Sequence, residues 1–348
     1  MTIEVRTFET PIGVITWVTM TNTSGASVTL SSLGAAIVEA VVPDRDGKME
    51  NVVLGYDVPE AYLADGPCAG KVPGRYANRI AKGHLELDGK VYSLTINNGP
   101  NALHGGPTGF QNRIWDCAVT GENSVCFSRV SPDGEENYPG TLSVKAEYSW
   151  SDDNVLSLQL TATVEGAPTV VNLTNHAYFN LTGDGTGSVL DHLLRIDADR
   201  WLPTDDTLIP TGVMAPVYDT PMDFRKPKRI GEHIHDDFDA LRFGKGYDNC
   251  WVLKDENSPE VKVAAVLVAP DGRRTLEVAT DQPGVQIYTG NWLNGCPEGH
   301  KGAVYHDYDA VAIECQGLPD APNKPNFPSQ RLNPGETYSR TIQFRFFK

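Results

Sequence analysis

Apolar and polar residues alternate along much of the chain. In VLSLQLTATV (155–164), Leu156, Leu158, Leu160, Ala162 and Val164 share one side, and Ser157, Gln159, Thr161 and Thr163 share the other. A period of two sustained over this length predicts a half-buried β-strand. VKVAAVLVAP and RRTLEVATD flank Asp271-Gly272, and LELDGKVYSL (85–94) carries Asp88-Gly89 at its middle. Both read as hairpins turning at Asp-Gly. The closing segment YSRTIQFRFF alternates again. Helical signals are short: DVPEAYLAD (57–65), with Pro59 near its start, predicts one or two turns.

The 24 prolines and 33 glycines fit many turns between strands. No linker, low-complexity run or charge block divides the chain, so residues 1–348 are expected to form one domain. The expected fold is all-β, a large antiparallel β-sandwich or barrel. Residues 317–335, GLPDAPNKPNFPSQRLNPG, precede a clear strand and are expected to be a surface loop crossing back over the domain.

Charge narrows the partners. A formal net charge of −16 and a pI near 4.9 repel nucleic acid and anionic membranes. A neutral small molecule fits this balance. The start, MTIEVRTFETPIG, lacks a basic segment followed by an apolar run, so no signal peptide is expected. No stretch approaches the ~18 apolar residues of a membrane helix. Six cysteines are scattered without a C-x-x-C pair and read as reduced thiols. Sequons at Asn172 and Asn180 would place glycans beside His176 in a secreted protein. These features make a cytoplasmic location the expectation.

Candidate chemistry gathers in six segments. In VVNLTNHAYFNLTG (170–183), Val171, Leu173, Ala177, Phe179 and Leu181 form an apolar row, with Asn175 as the exception. Asn172, Thr174, His176, Tyr178 and Asn180 form a polar row. Read as a strand, this stretch packs one row on the core and offers the other, centred on His176, to solvent or to a polyhydroxyl ligand. Asparagine is a poor strand former, which makes three of them here unusual.

In DAVAIECQGL (309–318), Val311, Ile313 and Cys315 share one face, opposite Ala310, Ala312, Glu314 and Gln316. Glu314 is either an outward residue of an edge strand or a carboxylate on a sheet floor, with small alanines leaving room for a ligand. Burial would raise its pKa toward that of a general base. GVQIYTGNWL (284–293) aligns Gln286, Tyr288 and Trp292, a sugar-stacking surface or simply core aromatics. NALHGGPTGF, GRYANRIAKG and GYDNCW add His104 before two glycines, Asn78 with Arg79, and Asp248.

Together these segments resemble the aldose 1-epimerase (galactose mutarotase) family. NLTNHAYFNL (172–181) is the specific piece; GRYANRI, LHGGPTGF, GYDNC, GVQIYTGNWL and AIECQGLPDAPN follow in family order. The resemblance spans roughly residues 10 to 346. It implies a β-sandwich of the supersandwich type, a free-monosaccharide substrate, and no metal or nucleotide cofactor; a monomer or homodimer is expected, and the sequence does not fix which. It implies Glu314 as catalytic base and His176 as catalytic acid. It also implies that His104 contacts substrate near the ring oxygen, and that Asn78, Arg79, Asp248 and Gln286 hold sugar hydroxyls.

The chemistry suits these groups. Opening a pyranose hemiacetal removes the O1 proton and protonates the ring oxygen O5. A carboxylate and an imidazolium do both at neutral pH without a covalent intermediate. Three rivals remain open at this point. A glycoside hydrolase would need two flanking carboxyl groups, for example Glu314 and Asp248. A non-catalytic sugar-binding protein would need no acid and base. An epimerase for a phosphorylated sugar would need a basic cluster, for example Arg75 with Arg79.

Overall fold

The computed structural model describes residues 1–348. Strands dominate, and the helices are short, Pro59–Leu63 and Asp239–Gly244. The first follows the expected Pro59 signal; the second was not expected. Every ladder is antiparallel, the main ones forming nine-, six- and five-stranded sheets. The nine-stranded sheet holds Val155–Glu165 in its interior, between Thr141–Trp150 and Thr337–Phe347. The expected alternation is realised: Leu156, Leu158, Leu160, Ala162 and Val164 are all buried. Both expected hairpins form, His84–Leu87 with Lys90–Ser93 and Lys262–Val268 with Thr275–Thr280.

The six-stranded sheet carries three of the candidate residues, Asp248, Gln286 and Glu314. Its central strands are Asp248–Val252, Gly284–Tyr288 and Val311–Gln316, with Tyr178–Phe179 beside the last. Val285, Ile287, Val311, Ile313 and Cys315 point inward and join the inner row of the nine-stranded sheet in one core cluster of 61 residues. Period-two geometry then turns the alternate residues outward. The register puts Tyr178, Ala312, Tyr288 and Asp248 in one row across this outer face. Glu314, Gln286 and Cys250 form the next row. Glu314 is therefore on an interior strand, not an edge. Its alanine neighbours are buried: Ala312 lies between Tyr178 and Tyr288, and it packs in a core cluster with Tyr178.

The histidine stretch departs from the strand expectation. Only Thr169–Val170 and Tyr178–Phe179 pair as strands, and residues 171–177 run irregularly through the buried interior. A buried backbone without a ladder must find other partners. The asparagines supply several of them. Asn172 Nδ2 donates to the Ala77 carbonyl at 3.0 Å, and its Oδ1 accepts the Gly317 N–H at 2.8 Å. Asn175 Nδ2 donates to the Gly70 carbonyl, and its Oδ1 accepts the Ala177 N–H. Asn180 Nδ2 donates to the carbonyls of Gly187 and Asp309. These amides bond the backbone rather than presenting a polar row to a ligand. Asn172 and Asn180 are both buried, so a glycan on either would not fit the folded interior.

Residues 317–321 are buried as well, so the start of the proline-rich segment is interior. The fold needs it there, because Gly317 bonds Asn172 and Asp320 Oδ1 accepts the Ala81 N–H.

Candidate active site

A cavity of about 690 Å³ lies over the outer face of the six-stranded sheet. Six of the seven candidate side chains line it: Asn78, Arg79, His104, His176, Asp248 and Glu314. They come from segments far apart in the chain.

Its centre is an imidazole against a carboxyl. His176 Nε2 lies 3.4 Å from Glu314 Oε1, and both side chains are almost wholly buried. Glu314 Oε2 has no protein partner, and neither does His176 Nδ1. Burial, reinforced by the Asp248 charge, raises the Glu314 pKa well above the usual carboxyl range, with Arg79 opposing. Burial lowers His176 to about 4. Both shifts favour uncharged partners, with one proton on the pair and that proton on the carboxyl.

Backbone fixes the position of His176. Its N–H donates to the Lys71 carbonyl at 2.8 Å, and its own carbonyl accepts the Gly70 N–H at 2.9 Å. Tyr178 and Tyr288 box the ring, with centroids 4.9 and 6.3 Å away. His104 meets it edge to face at 5.3 Å.

His104 stands on a tight turn. Its φ is +53°, and the following Gly105 has φ +77°. A Cβ at Gly105 would meet the Gly74 carbonyl oxygen at 2.0 Å, so the approach requires glycine. His104 Nδ1 accepts the Asn78 N–H at 3.1 Å. The neutral ring therefore carries its hydrogen on Nε2. Burial holds its pKa well below the usual value, helped by His176 and Arg79.

Arg79, Asp248 and Gln286 form a chain beside the pair. Arg79 Nη2 is 3.6 Å from Asp248 Oδ2, and Arg79 Nε donates to Asn98 Oδ1. Gln286 Nε2 donates to Asp248 Oδ1 at 2.7 Å. Gln286 does not line the cavity; it lies behind Asp248, with its Oε1 unpartnered. Asn78 Oδ1 accepts the Arg79 N–H.

Aromatic rings reach the mouth. Trp292 lies in the turn past the end of Gly284–Tyr288, half exposed, and stacks on Tyr288 at 6.5 Å and 19°. Its place on that face comes from the turn rather than from strand parity. Asn98, Asp206, Thr207 and Phe243 also line the cavity and carried no signal in the sequence. They lie on loops and a short helix whose path depends on the whole fold.

Two rival readings lose support. Arg75 is buried and spends its guanidinium on the carbonyls of Pro139 and Gly140 and on Ser131, so it adds no basic charge to the cavity. Asp248 is held by Arg79 and Gln286 rather than standing free as a second acid.

Comparison with known proteins shows the family and the fold. The family model described as aldose 1-epimerase matches residues 16–345. The chain is 47% identical to a galactose mutarotase of Bos taurus over 319 residues, covering 92% of this chain and 90% of the relative. It is 38% identical to an aldose 1-epimerase of Escherichia coli (strain K12) over 331 residues, covering 94% of each. Among solved structures, a GalM/aldose epimerase homologue from C. elegans superposes with a TM-score of 0.86 at 33% identity, covering 95% of this chain and 98% of that one. A galactose 1-epimerase from Lactobacillus acidophilus gives 0.85 at 29%, covering 99% and 98%.

Proposed function

This chain belongs to the aldose 1-epimerase family and is an isomerase acting on carbohydrates, and we propose that it interconverts the α and β anomers of free hexoses such as glucose and galactose, with Glu314 as general base and His176 as general acid. The observation that carries this reading is the 3.4 Å contact between His176 Nε2 and Glu314 Oε1 inside the cavity, with Glu314 Oε2 unpartnered.

The steps follow from the proton positions. A bound sugar offers its O1–H to Glu314 Oε2 and its ring oxygen O5 to His176 Nε2. Hydroxyls that donate to the carboxylate favour its charged form and move the shared proton onto the imidazole. Glu314 takes the O1 proton, the O1 electron pair forms the C1 carbonyl, and the C1–O5 pair leaves on O5. His176 supplies the O5 proton. The aldehyde turns about C1–C2 and recloses from its other face, returning both protons. Base and acid each contribute ~10²–10⁴-fold in such reactions. O1 and O5 share one carbon, so a catalytic pair must converge, and the 3.4 Å separation of these two groups supports the reading.

The surrounding groups divide the remaining work. His104, with its hydrogen on Nε2, donates to the ring oxygen or a neighbouring hydroxyl. Arg79, Asp248 and Asn78 hold the hydroxyls at C2 to C4 while C1 turns. Gln286 orients Asp248. Tyr288 and Trp292 offer ring faces to the C–H surface of the sugar.

Mutarotation across an aldose panel, followed by polarimetry with the spontaneous rate subtracted, tests the reading. Accelerated equilibration of fresh α-D-glucose or α-D-galactose is expected, with no release of aglycone from aryl glycosides. Equilibration at the buffer rate for every aldose would overturn it.

A further inference from the structure

Behind His176 lies an ion pair that the chemistry above does not use. Lys71 Nζ is 3.2 Å from Asp65 Oδ2, and both side chains are buried to within 1%. The surrounding bonds tie down both ends of the segment between them, and Ala69 within it. Lys71 Nζ donates to the Tyr62 carbonyl at 2.7 Å. Asp65 Oδ1 accepts the Tyr56 hydroxyl at 2.8 Å, and Oδ2 accepts the Ala69 N–H at 2.7 Å.

This segment is what grips the histidine. The Gly70 N–H and the Lys71 carbonyl hold the His176 peptide from both sides. The Gly70 carbonyl accepts Asn175 Nδ2 at 2.6 Å and the Ile37 N–H at 2.9 Å. The Pro67 carbonyl accepts the Tyr178 hydroxyl, so the same loop also places the ring that packs on the imidazole. Gly66, Pro67 and Cys68 form part of the cavity wall.

A buried ion pair is a weak source of net stability, because desolvation offsets the attraction. What it does provide is one geometry, since each charge is satisfied only where the other sits. We propose that Asp65 and Lys71 are positioning residues: together they lock residues 65–71 and so hold the His176 imidazole against Glu314. The inference rests on the proposed role of His176 as general acid. Such support is where small displacements are costly, about 10²-fold in rate for an error near 1 Å.

Three variants test it, with His176→Ala as the control: Lys71→Met, Lys71→Arg and the charge-free double variant Lys71→Met/Asp65→Asn. For folded Lys71→Met, kcat should fall roughly 10–100-fold while KM stays within about threefold, because Arg79 and Asp248 are held by other segments. The pH profile of kcat should change shape, since the His176–Glu314 contact is disturbed. Lys71→Arg, which keeps the charge, should recover part of the rate. The double variant should regain melting temperature but not kcat. It decides the matter if the single variant does not fold, since it leaves no unpaired charge inside. Wild-type kcat and pH profile in folded Lys71→Met or in the double variant would overturn the inference. Wild-type kcat in His176→Ala would instead overturn the proposed mechanism.

Discussion

His104 Nδ1 accepts a hydrogen bond from the backbone N–H of Asn78 at 3.1 Å. That bond decides which ring nitrogen carries the hydrogen, and it leaves Nε2–H as a donor in the cavity. Burial and the neighbouring His176 and Arg79 keep the ring neutral. Long-range ¹H–¹⁵N spectra of histidine-labelled protein should show His104 with a bare Nδ1 and a protonated Nε2, unchanged from pH 5 to 9. A hydrogen on Nδ1, or titration within that range, would contradict the assignment.

On the proposed mechanism, Gln286 acts through Asp248 rather than on the sugar, since its amide bonds the carboxylate and does not line the cavity. Removing its amide with Gln286→Leu takes away the 2.7 Å bond that orients the carboxylate. Hydrogen bonds to charged groups are worth about 1.5–3 kcal/mol, so KM should rise roughly 10–100-fold. Asp248→Asn should raise KM too, and the double variant should cost less than the sum, because the two residues share one bond. Steady-state kinetics on the four proteins checks this.

Asn172 is a structural residue within the most recognisable motif. Its amide closes bonds to Ala77 and Gly317 in the interior. Asn172→Ala leaves those groups unsatisfied and should destabilise the fold by about 1–3 kcal/mol. KM at temperatures where the variant is folded should stay near wild type. Chemical denaturation and initial rates on the same sample separate the two effects.

The pair also sets how stability depends on pH. Glu314 holds its proton more tightly in the folded chain than the usual 4.5. Its contribution is present below about 4.5 and is lost as pH rises through the folded value. Glu314→Gln should therefore melt a few degrees above wild type at pH 8, and the gap should close below about pH 4.5. Buried His192 works in the opposite range: burial holds it down to about 4 against 6.5. The unfolded chain takes that proton first, so about 3 kcal/mol is lost as pH falls from 6.5 toward 4. Melting curves across pH 4 to 9 test both signs.

Much of this was legible from the sequence where the local pattern and the fold agree. Leu156 to Val164 alternate because one face is core, and the same parity correctly placed Val311, Ile313 and Cys315 inward and Glu314 outward. The histidine stretch showed the limit of parity. Asn172 and Asn180 keep the parity of a strand and Asn175 breaks it, yet the amides of all three bond backbone where no ladder forms. Gln286 shares a face with Glu314, but parity does not tell the cavity wall from the layer behind it. Asn98, Asp206, Thr207 and Phe243 reach the cavity by paths that only the folded chain defines. The Asp65–Lys71 pair was invisible for the same reason: nothing in the sequence marks it as buried.

The central claim is that one imidazole and one carboxyl act together on one anomeric centre. The direct measurement is the polarimetric kcat of His176→Ala and Glu314→Gln on fresh α-D-galactose, with folding verified and the spontaneous rate subtracted. Each variant should lose roughly 10²–10⁴-fold, and the double variant should fall little further, because the two groups work as a unit. A kcat within a few-fold of wild type in either single variant would contradict the account.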